Sequence, residues 1–168
     1  MASKASFDIS TGADLQEVDN AVNQARKEIS QRFDFRGTSC TLEFDRGKAE
    51  IRLAADDEFR MRALVDVLLA RLVKRSVPTK NLNVGPFEPA TGQSVRATVT
   101  LTQGIPTETA KRIVKAIKDY PAFKKAQASI QGAEVRVSSP SRDELQSVIA
   151  FLKSQDYDIE LTFGNFRS

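Results

Sequence analysis

Apolar residues along this 168-residue chain follow two periods, and the order in which those periods alternate is repeated once. Phe7 and Ile9 alternate with polar neighbours, the spacing of a short strand. Leu15, Val18, Val22, Ala25 and Ile29 then fall at three- and four-residue steps. That spacing predicts a helix opened by Asp14, with Glu17 as its capping-box partner. Cys40, Leu42 and Phe44 alternate with Thr41 and Glu43, Asp45-Arg46-Gly47 turns the chain, and Ala49, Ile51 and Leu53 bring it back as a hairpin. A second helix over 57–75 carries Met61, Leu64, Val65, Leu68 and Leu72, and Leu82 with Val84 predicts a last short strand.

Residues 85–93, rich in Pro and Gly, read as a linker, after which the plan restarts. Val95, Ala97, Val99 and Leu101 predict a strand, and a helix opens near Pro106-Thr107 and ends before Pro121. Residues 126–130 and 133–137 pair around Gln131-Gly132. Ser141 with Glu144 forms a second capping box before Leu145, Val148, Ile149 and Leu152, and Ile159, Leu161 and Phe163 predict a closing strand. From Ala49 and Ala133 onward the halves align without a gap at an offset of 84 residues, placing Met61 on Leu145, Leu64 on Val148, Val65 on Ile149 and Leu68 on Leu152. Such repetition marks duplication of one small unit. Each half reads β-α-β-β-α-β, which predicts an α+β fold: tandem ferredoxin-like repeats over residues 1–90 and 91–168, each an antiparallel sheet with helices on one face. Periodicity is blind to whether equivalent strands change places between the halves.

Composition narrows the chemistry. Nothing has the form of a signal peptide or a membrane span, since Met1-Ala2-Ser3-Lys4 runs directly into the first strand. The lone Cys40 has no partner for an internal disulfide, which suits a reducing cytoplasm, and strand alternation turns its thiol inward. The chain has no histidine, which removes the usual general base, the serine and cysteine triads and the commonest metal ligand. The expectation is a binding protein rather than an enzyme, with no catalytic residue, metal or cofactor. A magnesium-dependent phosphohydrolase on Asp8, Asp34 or Asp143 is the residual enzymatic reading, and no converging carboxylate spacing supports it.

Net charge is +3, and its distribution matters more than its size. Residues 104–125 hold six basic residues against Glu108 and Asp119, leaving the rest of the chain slightly negative. Lys111, Lys115 and Lys118 share one helix face while Ala110, Ile113, Val114 and Ile117 share another. With Arg112, Lys124 and Lys125 they form a candidate nucleic-acid surface, because clustered lysines replace phosphate counterions. A solvated helix face explains the same pattern equally well.

Phe33-Asp34-Phe35-Arg36-Gly37 offers two readings as well. Its rings and arginine can stack a base and clamp a phosphate. Alternatively Phe33 and Phe35 plug the core, Asp34 pairs with Arg36, and Gly37 supplies a left-handed cap. Arg52 and Arg136, with Lys48, Glu50 and Glu134, point to the open face of the sheets, where no aromatic residue accompanies them; that argues against single-strand RNA binding on the sheet and allows simple cross-strand pairing. Lys74 and Arg75 end the second helix, where cations suit the helix dipole. The tail 163–167 carries aromatic anchors able to fold back on the body.

Taken in order, Ser6-Phe7-Asp8-Ile9, Phe33-Asp34-Phe35-Arg36-Gly37, Lys74-Arg75, Gln103-Gly104-Ile105, Gln131-Gly132, Val135-Arg136-Val137, Ser141-Arg142-Asp143-Glu144-Leu145-Gln146 and Asn165-Phe166-Arg167 resemble the YajQ family of bacterial nucleotide-binding proteins over nearly the whole chain. Phe33, where the family commonly has Tyr, and Thr102, where it has a basic residue, depart from the pattern. The resemblance implies two ferredoxin-like domains that exchange their first strands, about 5–10 and 94–103. It also implies a purine nucleotide ligand (GTP, ATP or cyclic di-GMP). A site within these motifs is expected where the repeats meet, with Phe35 as a stacking surface and Arg36, Lys74, Arg75, Lys111, Lys115, Arg136 and Arg142 gathered on phosphates. The function expected is a cytoplasmic nucleotide-binding protein, a cyclic di-GMP-responsive effector working through a regulatory protein or DNA. The alternative is an RNA- or tRNA-binding protein using the row from Lys111 to Lys125.

Overall fold

A computed structural model describes residues 4–168, and the lead-in read for residues 1–3 lies outside the described residues. The elements run β1 (Ala5–Ser10), α1 (Leu15–Gln31), β2 (Thr41–Asp45), β3 (Glu50–Ala55), α2 (Glu58–Lys74), β4 (Leu82–Val84), β5 (Glu88–Pro89), β6 (Val95–Leu101), α3 (Thr107–Asp119), β7 (Gln127–Gln131), β8 (Glu134–Ser139), α4 (Arg142–Lys153) and β9 (Thr162–Arg167). The fold is α+β, with two antiparallel sheets and two helices in each half of the chain.

The chain divides into two units. In Gly12–Gln103 the sheet order is β2-β3-β6-β4, with β5 also paired to β6. Val18, Val22 and Ala25 of α1 and Met61, Leu64, Leu68 and Leu72 of α2 pack against Leu42, Ile51, Leu53, Ala97 and Val99. The other unit joins the segment ending at Thr11 to Gly104–Ser168, and its sheet order is β7-β8-β1-β9. There Ile113, Ile117, Val148 and Leu152 cover Phe7, Ile9, Val135 and Val137. The first strand of each half therefore lies inside the other half's sheet: β1 sits between β8 and β9, and β6 between β3 and β4. Phe7 and Ile9 are fully buried in that position.

Chain crossings at 11–13 and 102–105 are held locally. The Gln103 side chain accepts from Ala13 N at 2.7 Å and donates to Ala13 O at 3.2 Å, as a missing strand partner would. Ile105 N donates to Ala133 O at 2.9 Å, which presses Gly104 against Ala133. A Cβ at Gly104 would lie 2.8 Å from that of Ala133, closer than side chains approach.

Three local expectations change. The 85–93 stretch is not a free linker: Gly85 N donates to Thr98 O and Glu88 and Pro89 pair with Arg96 and Val95, so it is stitched back along β6. The closing strand begins later than the alternation suggests, because Asp158 takes a left-handed conformation (φ 62°) and Ile159 enters the core from a loop. Both capping boxes are half-made. Asp14 accepts from Gln16 N and Ser141 from Glu144 N, but Glu17 turns to Arg75 and Glu144 accepts from Lys125 N instead of reaching back. Among the described residues no helix is long and apolar enough to cross a membrane.

Replacing Phe7 by Ala should cost about 3–5 kcal/mol. Hydrogen exchange should then accelerate in β8 and β9 well before β3. Unaltered protection of β8 and β9 would contradict this pairing.

Candidate functional site

Asp8 is the one buried charged side chain among the described residues. It projects from β1 opposite Arg136 of β8, and Arg136 Nε donates to its Oδ1 at 2.9 Å. β9 supplies the rest. A register break opposite β1 between Ser6 and Asp8 accommodates Asn165 in the left-handed region (φ 54°), and its amide donates to Asp8 Oδ2 at 2.6 Å. Arg167 follows at 3.9 Å. The Arg136 guanidinium, with Asn165 and Arg167 assisting, outweighs the cost of burial and holds the Asp8 carboxyl below its ordinary value. The same bulge leaves Phe166 with its ring centroid 6.0 Å from that of Phe7 and 61% exposed.

This network anchors one wall of a cavity of about 270 Å³. Ser6 and Arg167 meet the first turn of α4 there, which contributes Arg142 and Gln146 above Leu145, and Phe166 completes the lining. No Asp or Glu lines it. Arg142 is exposed and has no carboxylate partner among the described residues. Two arginines, an exposed phenylalanine, a serine and a glutamine thus line the cavity together with Ala5, Leu145 and Ser168, and the Arg167 guanidinium is shared with Asp8. Three of the stretches on which the resemblance rests (residues 6–9, 141–146 and 165–167) come together at this point.

The remaining sequence-predicted residues are distributed more widely. Phe35 is buried and lines a groove of about 440 Å³ between α1 and β2, beside the half-buried Cys40. The plug is Phe35 alone: Phe33 is 80% exposed beneath the Arg36 guanidinium, 5.5 Å away. Asp34 pairs with Arg32 at 2.7 Å rather than with Arg36, because the short 3₁₀ turn Phe33–Phe35 points it back toward the helix. Gly37 takes the left-handed conformation expected of it (φ 73°). Arg75 pairs with Glu17 at 3.3 Å and closes α2, whose last residue, Lys74, is exposed. On the outer side of α3, Lys111, Lys115 and Lys118 are exposed and without carboxylate partners among the described residues. Arg112 is occupied, its guanidinium 5.2 Å from the buried Tyr157 ring. Lys124 and Lys125 are exposed ahead of β7. None of these lysines lines the Arg142 cavity; Lys118 lines another, between α3 and β7. Of the expected phosphate-binding residues, only Arg142 lies in the cavity and Arg136 braces it from the sheet. Arg52 is satisfied by Asp45 across its hairpin.

Sequence reasoning passed over Ser6, Gln146, Phe166 and Arg167 as ligand groups. Their signal was present in the Phe166-Arg167 pair, but only the bulge in β9 shows that ring and guanidinium flank the start of α4. Asp8 and Asp34 are engaged by arginines, and among the described residues no group of three His, Cys, Asp or Glu side chains is placed to hold a metal ion.

Comparison with known proteins identifies the family. The family model described as "Nucleotide-binding protein YajQ-like" matches residues 5–167. The chain belongs to the YajQ-like family. A protein of Koribacter versatilis named as nucleotide-binding is 50% identical over 163 residues, covering 97% of both chains. Similarly named proteins of Desulforamulus reducens and Magnetococcus marinus are 49% and 51% identical, over 100% and 96% of this chain and 99% and 98% of theirs.

Replacing Asp8 by Asn tests the network. Arg136 is about a third exposed (35%), so solvent screening limits the loss to about 1 kcal/mol at pH 7. A depressed carboxyl stabilises the fold fully above the unfolded value of about 3.9 and loses that contribution as pH falls through the folded one. Denaturant titrations of the two proteins should therefore differ at pH 7 and draw together as pH falls below the unfolded value and through the folded one. A gap that persists in acid would assign the loss to packing instead.

Proposed function

We propose that this protein binds a purine nucleotide in the cavity at the start of α4, with the base on Phe166 and phosphoryl oxygens on Arg142 and Arg167. One observation carries the reading: two guanidinium groups and an exposed phenylalanine line a single cavity that contains no carboxylate side chain. Guanidinium forks suit phosphate oxygens, and every base offers a face for stacking. Ser6 and Gln146 supply a donor and acceptors at the base edge. The names carried by the relatives point the same way.

Two charge-assisted contacts at about 2 kcal/mol each and one stacked base at about 2 give roughly 6 kcal/mol gross, before ordering costs. A mononucleotide should therefore bind no more tightly than tens of micromolar. Cyclic di-GMP presents one phosphate to each arginine, and we read the protein as a cyclic di-GMP-responsive effector whose output passes to a protein or DNA partner. We read the site as a binding site rather than an active site, in a chain that has no histidine to serve as the usual general base.

Calorimetric titration with GTP, ATP and cyclic di-GMP should find at least one that binds below millimolar. Arg142→Ala and Phe166→Ala should each weaken that ligand about tenfold, the equivalent of ~1.4 kcal/mol, with circular dichroism unchanged. Wild-type affinity in both variants would place the ligand elsewhere.

A further inference from the structure

We propose that the open edge of β7 docks an acidic, extended segment of a partner protein, which adds to the β7-β8-β1-β9 sheet as a new outer strand. β7 ends this sheet and reads Gln-Ala-Ser-Ile-Gln, with neither charge nor proline to discourage pairing. Its two-residue turn, with Gly132 at φ 63°, pairs Gln131 with Glu134. Alternate residues from that pair exchange their hydrogen bonds with β8, so the amides of Ala128 and Ile130 point away from the sheet. Ile130 is 41% exposed.

The duplicated strand shows what a guarded edge looks like in the same frame. Leu42 of β2 pairs with Leu53, and Ala128 of β7 pairs with Val137, so Leu42 and Ala128 are equivalent. Arg26 Nε donates to Leu42 O at 2.7 Å and closes that edge. Each groove is lined by three helix positions at the same spacing: Arg26, Ile29 and Ser30 beside β2, and Val114, Ile117 and Lys118 beside β7. Valine stands where Arg26 would be and has nothing to donate. β2 also carries Glu43 and Asp45, whose counterparts opposite Arg136 and Glu134 are the neutral Ser129 and Gln131. One repeat keeps its edge blocked and the other leaves it open.

The surroundings select the occupant. Gln127 to Ser129 of β7, with Ala126 before it and Ser138 across from Gln127, line a groove of 460 Å³ beside α3, so the end strand borders it along three consecutive residues. Val114, Ile117 and Ala128 form an apolar floor that accepts alternate side chains of an added strand. Lys118 stands at the lip, Lys124 and Lys125 lead into the strand, and none has a carboxylate partner among the described residues. An acidic peptide neutralises these ammonium groups, whereas a second copy of the same edge would bring lysines against lysines.

The test uses the full chain, a fluorescent peptide of alternating Glu and Val, and a Lys/Val peptide of the same length. Anisotropy should show the acidic peptide binding at least tenfold more tightly than the basic one. N-methylation of alternate peptide amides on one edge should abolish binding, and amide signals of Ala128 and Ile130 should shift and gain exchange protection. Lys118→Glu with Lys124→Glu should weaken the peptide at least tenfold while leaving nucleotide affinity at the α4 cavity unchanged. Equal binding of both peptides, insensitivity to N-methylation, or shifts confined to other strands would overturn the proposal. So would displacement of the peptide by single-stranded RNA with a log–log salt slope near −2.8, the value for roughly four neutralised phosphates, or self-association that Ile130→Lys abolishes.

Discussion

The structure depends on where two strands lie. β1 and β6 are interior strands of their sheets, flanked on both sides, and each is supplied from the opposite half of the chain. An interior strand buries both ladder edges and one whole face, so removing it leaves unpaired amides as well as lost apolar burial. Phe7 and Ile9 have no exposed surface, and the buried Ala97 and Val99 occupy the matching positions in the other unit. Neither half of the sequence can complete a ferredoxin-like sheet from its own strands alone. Gln103, holding the backbone of Ala13, and Gly104, pressed on Ala133, are local devices that let the chain cross at those points.

On this shared frame the two repeats differ at their surfaces. Arg136 and Arg52 occupy equivalent positions, yet Arg136 faces Asp8 whereas Arg52 faces Thr98. Arg52 turns to its own hairpin's Asp45 and stays half exposed, while Arg136 is locked into the network behind the Arg142 cavity. Arg26 against Val114 is a second difference of the same kind. Interior positions are constrained by close packing and so remain apolar in both copies. Polar positions on a rim are free to diverge, and there one unit acquired a buried carboxylate and an unguarded edge that the other lacks.

Helices and hairpins were legible because their signals are local. Leu64 and Leu68, or Val148 and Leu152, fall on one helix face through 3.6-residue periodicity alone, and all four are buried. Asp14, Ser141 and Gly37 likewise performed the capping roles their chemistry suggested. Phe33 and Phe35 show the limit: two residues apart in a turn, they carry the same sequence signal, yet one is buried and the other almost fully exposed. The candidate site was legible only in fragments. Arg142 was named among the expected phosphate-binding cations, but Ser6, Phe166 and Arg167, at opposite ends of the chain, were not.

The sequence by itself determined the duplicated βαββαβ order, the apolar faces and the excess of cations along α3, since each follows from spacing or composition, and its motifs carried the resemblance to the family. Which sheet β1 joins was implied only by the resemblance and not by spacing; tertiary structure alone decided that β9 bulges to bring Asn165 and Arg167 to Asp8, and which edge strand is left open. The place of β1 and the contacts of β9 with Asp8 rest on pairing between segments more than a hundred residues apart. A strand's alternation states which side chains are buried but carries no label for the neighbour it will meet.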